Sequence, residues 1–188
     1  MNTQKTAPRF IFITSIILLA AFSRVIPHMQ NFSPLGAIAL FGGAQLTKKW
    51  QAFLIPILAT WLSDLFINNV IYAQYNPGFV WFYEGFYWQY GSYLLITLAS
   101  FFIFNRNVTT PKVMLGVVSS TAIFFFITNA GCWVGNLVYP QNVGGLMSCY
   151  AAGLPFLKGT LLGDLFYSGV LFGAFYFTKI KFPSLVRA

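Results

Sequence analysis

The stretch SRVIPHMQNFSPLGAIALFGGA, Ser23 to Ala44, decides how this chain must fold. It leaves an apolar segment through Arg24, breaks at Pro27-His28 and crosses a polar turn that ends in Pro34. It then re-enters apolar sequence through Gly36, Ala37, Ala39, Gly42, Gly43 and Ala44. That pattern reads as a membrane helix ending in ionisable and hydrogen-bonding groups, followed by a helix smooth enough to pack closely on its neighbours. It predicts one wall of a substrate pocket open to the outer side of a membrane.

Composition extends this reading to the whole chain. Of 188 residues, 57% are hydrophobic, 20% aromatic and only 7% charged. A soluble domain carries roughly 25% charged residues, so the surface here must face lipid. An all-α bundle of six transmembrane helices in a single domain, 1–188, follows from apolar segments at about 10–26, 35–47, 50–70, 79–104, 112–136 and 153–178. Most of these approach or exceed the ~20 residues that cross ~30 Å of hydrocarbon. The second is short, and its Gly and Ala content suits a helix packed inside the bundle. The alternative for the first segment, a secretory signal, fits poorly with its length and with Arg24 where small residues should mark cleavage.

Loop charges orient the bundle. Lys5 and Arg9, Lys48 and Lys49, Arg106 and Lys112, and Lys179, Lys181 and Arg187 all fall on one side if six spans alternate. The opposite loops, 27–34, 71–78 and 137–152, contain no Lys or Arg. The positive-inside rule then puts both termini in the cytoplasm. The net charge of +8 is explained by these loops and calls for no nucleic-acid partner.

The uncharged outer loops are rich in groups that hydrogen-bond and stack. Half of residues 72–93 are aromatic, a density beyond the usual interfacial belt. All three acids, Asp64, Glu84 and Asp164, and two bases, Arg24 and Lys158, lie in or beside apolar spans. Ionisable groups at that depth normally face the protein interior and pair. Thr60, Asp64 and Asn68 share one helix face, as do Thr160, Asp164 and Ser168, while Asn129, Cys132, Trp133 and Asn136 line another. In lipid such stripes turn inward.

These residues define a candidate substrate site. Arg24 and Lys158 would receive an anionic group, or hold Asp64 and Asp164 as ion pairs; Glu84 lies at similar depth. Asn31, Asn129 and Asn136 would supply neutral hydrogen bonds, and Trp81, Tyr83, Trp88 and Trp133 would stack on a planar ligand. His28, Cys132 and Cys149 reach the outer vestibule and suit soft or borderline metals, but they lack metal-motif spacing, so no metal or cofactor is assigned. The two cysteines permit one bridge and require none. Gly159-x3-Gly163, Gly169-x3-Gly173 and Ala39-x3-Gly43 read as packing contacts. Nucleotide-binding, zinc-protease and nucleophile-elbow motifs are absent, and Asp64 and Asp164 lack the flanking residues of an intramembrane aspartyl protease. An enzyme is not expected.

Several stretches resemble known proteins. Arg24-x2-Pro27 closing span one, Asn31-Phe32-Ser33-Pro34-Leu35-Gly36-Ala37 opening span two, Thr128-Asn129-Ala130-Gly131, and the run from Pro155 to Asp164 look like those of a little-characterised bacterial family of small six-span membrane proteins. That family is related to the substrate-binding S-components of energy-coupling-factor vitamin transporters. The resemblance implies a vitamin-like substrate captured from outside, and a partner complex of a coupling membrane subunit with ATPases. It admits a corrinoid, with Cys132 or Cys149 toward cobalt. The small-residue docking motif usual on helix one is not clean here, because the position four after Ala20 is Arg24. Two rivals stand beside the importer: a structural scaffold with buried ion pairs, and a membrane enzyme acting on a lipid or isoprenoid.

Overall fold

The computed structural model describes residues 6–135 and 138–186. Among the described residues there is no strand. Seven helices follow in order: α1 (Thr6–Phe22), α2 (Leu35–Gln45), α3 (Lys49–Phe66), α4 (Phe86–Ile103), α5 (Thr110–Gly135), α6 (Val143–Lys181) and the short α7 (Pro183–Val186). A turn of 3₁₀ helix, Ser23–Val25, extends α1, and a π turn, Ile67–Ile71, ends α3. Four segments are long and apolar enough to cross a membrane: Pro8–Val25, Lys49–Ile71, Thr110–Gly135 and Val143–Lys181. Their flanks carry large exposed apolar side chains, among them Ile11, Leu19, Met114, Phe126, Tyr176 and Phe177. In water such surface would drive association; against lipid tails it is at home.

The short helix α2 is the hub. Nine of its eleven residues are buried, and it touches each of the other five long helices. At 1.5 Å per residue it is about 17 Å long, roughly half the hydrocarbon thickness. The helix in the place of the expected second span is therefore too short to cross alone. Missing side chains allow the close packing. A Cβ on Gly43 would overlap the Ser100 hydroxyl, and one on Gly42 would come within 2.6 Å of Pro56. Phe41 meets Phe172 and Phe175 edge-on at 5.2 and 5.9 Å. Ile13, Ile17, Ile38, Ile96 and Leu171 complete the core around them.

Two expected boundaries move. Residues 79–85 of the expected fourth span are not helical: Gly85 takes φ 75° and α4 begins only at Phe86. With Gln89, Tyr90, Gly91 and Ser92 in its first turns, α4 has the length of a span but is less apolar than the four above. The expected outer loop 137–152 is mostly helix, because the Asn142 side chain caps α6 by accepting from the Gly145 amide at 2.9 Å. Helix α6 consequently runs 39 residues.

Candidate functional site

The loop between α1 and α2 builds the site. Helix α1 ends in Arg24, whose Nη1 donates to Asp64 Oδ1 at 2.6 Å and to Ser63 Oγ at 2.9 Å. The Tyr90 hydroxyl donates to the other carboxylate oxygen of Asp64 at 2.7 Å. This pair joins the ends of α1 and α3 to the start of α4, and it is the only ion pair among the described residues. Asp64 thus has a charged partner and a neutral donor, as a carboxylate shielded from water requires.

Asp164 is arranged differently. It is 2% exposed on α6 and has no cation beside it among the described residues. Thr121 donates to its Oδ2 at 3.0 Å, and the Ser120 hydroxyl and the Ala37 backbone amide face the same carboxylate. The Ala37 amide belongs to the first turn of α2, where unsatisfied N–H groups and the positive end of the helix dipole attract negative charge. Asp164 therefore brings its carboxylate to the N-terminal end of α2 from a neighbouring helix. Pro34, at the cap position of α2 itself, has no side chain able to accept from those amides. The fit depends on Gly36, since a Cβ there would land on the Asp164 carboxylate and the Ser120 hydroxyl.

From the cap the loop runs over α6. Gly159 and Gly163 lie under it: a Cβ on Gly159 would strike the Gln30 carbonyl, and one on Gly163 would meet the Ser33 amide at 2.6 Å. The Gly159-x3-Gly163 pair is a packing contact as expected, but with a loop instead of a helix. Phe32 anchors this segment between Phe166 and Tyr167, at ring separations of 5.7 and 5.6 Å. Asn31 turns the chain with φ 59°, in the left-handed region that Asn tolerates better than most residues.

Two adjoining cavities flank Asn31. The first, of about 250 Å³, is lined by Arg24, His28, Asn31, Ser33, Gly36, Ile67, Tyr72, Gln89, Tyr93, Phe124, Thr160 and Asp164, with Leu35. Tyr93 and Phe124 are nearly parallel there, 14° apart with centroids at 5.8 Å. The second, of about 310 Å³, is lined by Asn31, Phe124, Phe125, Thr128, Asn129, Cys132, Tyr139, Cys149, Gly153 and Thr160, with Ala152, Phe156 and Leu157. Asn31, Phe124 and Thr160 belong to both. Both thiols are free, Cys132 exposed and Cys149 buried with its Sγ 3.3 Å from the Asn129 carbonyl.

The structure gathers Arg24, His28, Asn31, Asn129, Cys132 and Asp164 at these cavities, with Asp64 directly behind Arg24. Other expected members lie elsewhere. Lys158 is exposed and has no acidic partner among the described residues, so the anticipated pair with Asp164 does not form. Glu84 is exposed in the turn before α4. Trp81, 61% exposed, stacks on Trp61; Trp88 packs on Gly131; the Trp133 indole donates to the Pro140 carbonyl at 3.0 Å. Tyr83 is half-buried but lines neither cavity. Asn136 lies outside the described residues. Gln89, Tyr93 and Phe124 line the first cavity without having been singled out; the Gln89–Tyr93 spacing of four on a polar first turn was the available signal.

A family model described only as a family of unknown function, DUF6580, matches residues 4–185. This chain belongs to that family. No curated protein matches it, and no solved structure does. What this DUF6580 member offers chemically is a neutral, hydrogen-bonding and aromatic hollow whose two carboxylates are already engaged. Its histidine is exposed, with Nδ1 2.9 Å from the Met29 carbonyl, and among the described residues no three His, Cys, Asp or Glu side chains converge as a metal site would require.

Proposed function

We propose that this protein is a substrate-capture membrane subunit for uptake of a small vitamin-like molecule, held in the paired cavities and reached from outside the cell. The observation that carries this reading is the cavity pair around Asn31. It is walled by Tyr93 and Phe124 and ringed by Gln89, Thr128, Asn129 and Thr160. An apolar and aromatic lining with a few convergent polar groups is the usual make-up of a small-molecule site. The charges act as framework: Arg24 with Asp64 and Asp164 with α2 hold the walls, and neutral groups contact the ligand. The cavities, about 250 and 310 Å³, lie just below and at the bottom of the ~300–1,000 Å³ typical of ligand sites, which favours a compact molecule over a corrinoid.

The orientation is part of the proposal. Arg9 bonds the end of α2, Lys49 lies over Phe101 near the end of α4, and Arg9 also lies over Phe175 near the end of α6. Arg9 and Lys49 thus lie at the end opposite the cavities, supporting a cytoplasmic basic end. Six crossings result if the loop 26–34 and α2 together make the second. The chain's lack of a nucleotide-binding loop leaves energy to partners, for which the resemblance suggests a coupling subunit with ATPases.

Native mass spectrometry of the detergent-purified protein tests the reading. Asn31→Gly keeps the left-handed backbone accessible while deleting the one side-chain amide shared by both cavities. A co-purifying small molecule should be present in the parent and in Lys158→Gln, and lost from Asn31→Gly at equal expression. If the parent carries no such molecule and no member of a vitamin panel raises its unfolding temperature, the reading fails.

A further inference from the structure

The end opposite these cavities contains a third hollow, of about 260 Å³, between the start of α1, the end of α2 and the start of α3. Arg9, Phe10, Gln45, Thr47, Lys48 and Gln51 line it. Two of these are cations and none is an acid. The chain's three acids are elsewhere, since Asp64 pairs with Arg24, Asp164 lies at the start of α2 and Glu84 precedes α4. Arg9 donates from Nη2 to the Gln45 carbonyl at 2.9 Å and lies 5.7 Å over the Phe175 ring. Its Nε is shielded from solvent and without a hydrogen-bond partner, so it does not open onto the hollow. Helix α3 begins at the same place with no side-chain cap, which adds the positive end of a helix dipole.

We propose that this hollow binds a phosphate group, and that its source is the head group of an anionic phospholipid in the leaflet around the basic end. A guanidinium fork matches phosphate oxygens in geometry and charge. Basic hollows between membrane helices on the cytoplasmic side are suited to such head groups. Trp50, 58% exposed at the start of α3, is placed as an interfacial aromatic beside it.

The full chain is stripped of lipid in detergent and mixed with phosphatidylglycerol or phosphatidylcholine at equal concentration, and bound lipid is counted by native mass spectrometry. Inorganic phosphate is titrated separately in phosphate-free buffer. Preferential retention of phosphatidylglycerol is expected, falling roughly fivefold for each cation removed in Arg9→Gln and Lys48→Gln, with Lys181→Gln unchanged. Phosphate binding that depends on Arg9 and Lys48, without lipid preference, would keep the phosphate site and assign it a soluble ligand. Equal retention of both lipids together with no phosphate binding overturns the proposal. So does anion binding unaffected by Lys48→Gln, which replaces an exposed side chain and remains informative if Arg9→Gln does not accumulate.

Discussion

Replacing Arg24 by Met, Asp64 by Asn, and both together measures what the buried pair contributes. The two side chains are 19% and 7% exposed, with 2.6 Å between Nη1 and Oδ1. With charge centres ~4 Å apart and an effective dielectric of ~20, their attraction is about 4 kcal/mol before desolvation, and desolvation cancels much of it. Arg24→Met leaves Asp64 with only the Tyr90 hydroxyl, an orphaned charge costing roughly 3 kcal/mol. Asp64→Asn should cost less, about 2 kcal/mol, because Arg24 keeps Ser63 and reaches water at the cavity. The double variant has no orphan, so its loss should be near 3 kcal/mol instead of the sum of about 5, a coupling of roughly 2 kcal/mol. For a chain of this length Arg24→Met should lower the unfolding temperature by about 6–12 °C. Unfolding in mixed micelles, followed by circular dichroism, reads all four proteins. If the single losses add to within ~0.5 kcal/mol in the double variant, the pair has no energetic role and the framework reading is wrong.

Gly36→Ala should destabilise by about 1–3 kcal/mol through overpacking against Asp164 and Ser120, whereas Gly169→Ala, with open space around its Cβ position, should stay within ~0.5 kcal/mol; the same unfolding assay separates them. In the intact protein a maleimide should label exposed Cys132 and spare buried Cys149 until denaturation, and peptide mass spectrometry showing equal rates would contradict the packing of α6 on α5. Lys158→Gln and Trp81→Ala should each leave stability within ~0.5 kcal/mol, and a large loss in Lys158→Gln would reveal an ion pair that the structure lacks.

Much of this architecture was legible from residue spacing, because lipid leaves polar groups few places to go. Thr60 and Asp64, and Asp164 and Ser168, are buried as their shared faces require. Small residues from Gly36 onward, and the shortness of that apolar segment, forecast the buried α2. The misplaced Lys158 shows what depth alone omits. Six residues at 3.6 per turn put it about 240° around the helix from Asp164, so equal depth did not mean a shared face. The aromatic run was misjudged for a related reason: outside a helix, residues 79–85 are free to stack on Trp61 and on one another. The polar, glycine-bearing segment before Pro155 resembled a loop, and only the Asn142 cap reveals it as the start of α6. The placing of Asp164 at the start of α2 was not legible, since it depends on how distant segments meet.

Pro155 lies inside α6 and has no N–H to offer the carbonyl of Ala151, so the helix is missing one rung of its ladder there. Cys149 and Gly153, on the second cavity, precede that gap, while Phe156, Leu157 and Thr160 on the same cavity follow it, as do the α6 residues of the first, Thr160 and Asp164. Flexing of α6 about the gap would reshape one chamber while the other keeps its walls. The second chamber straddles the missing rung, whereas every α6 residue of the first lies beyond it, so a bend there would be felt in one chamber alone.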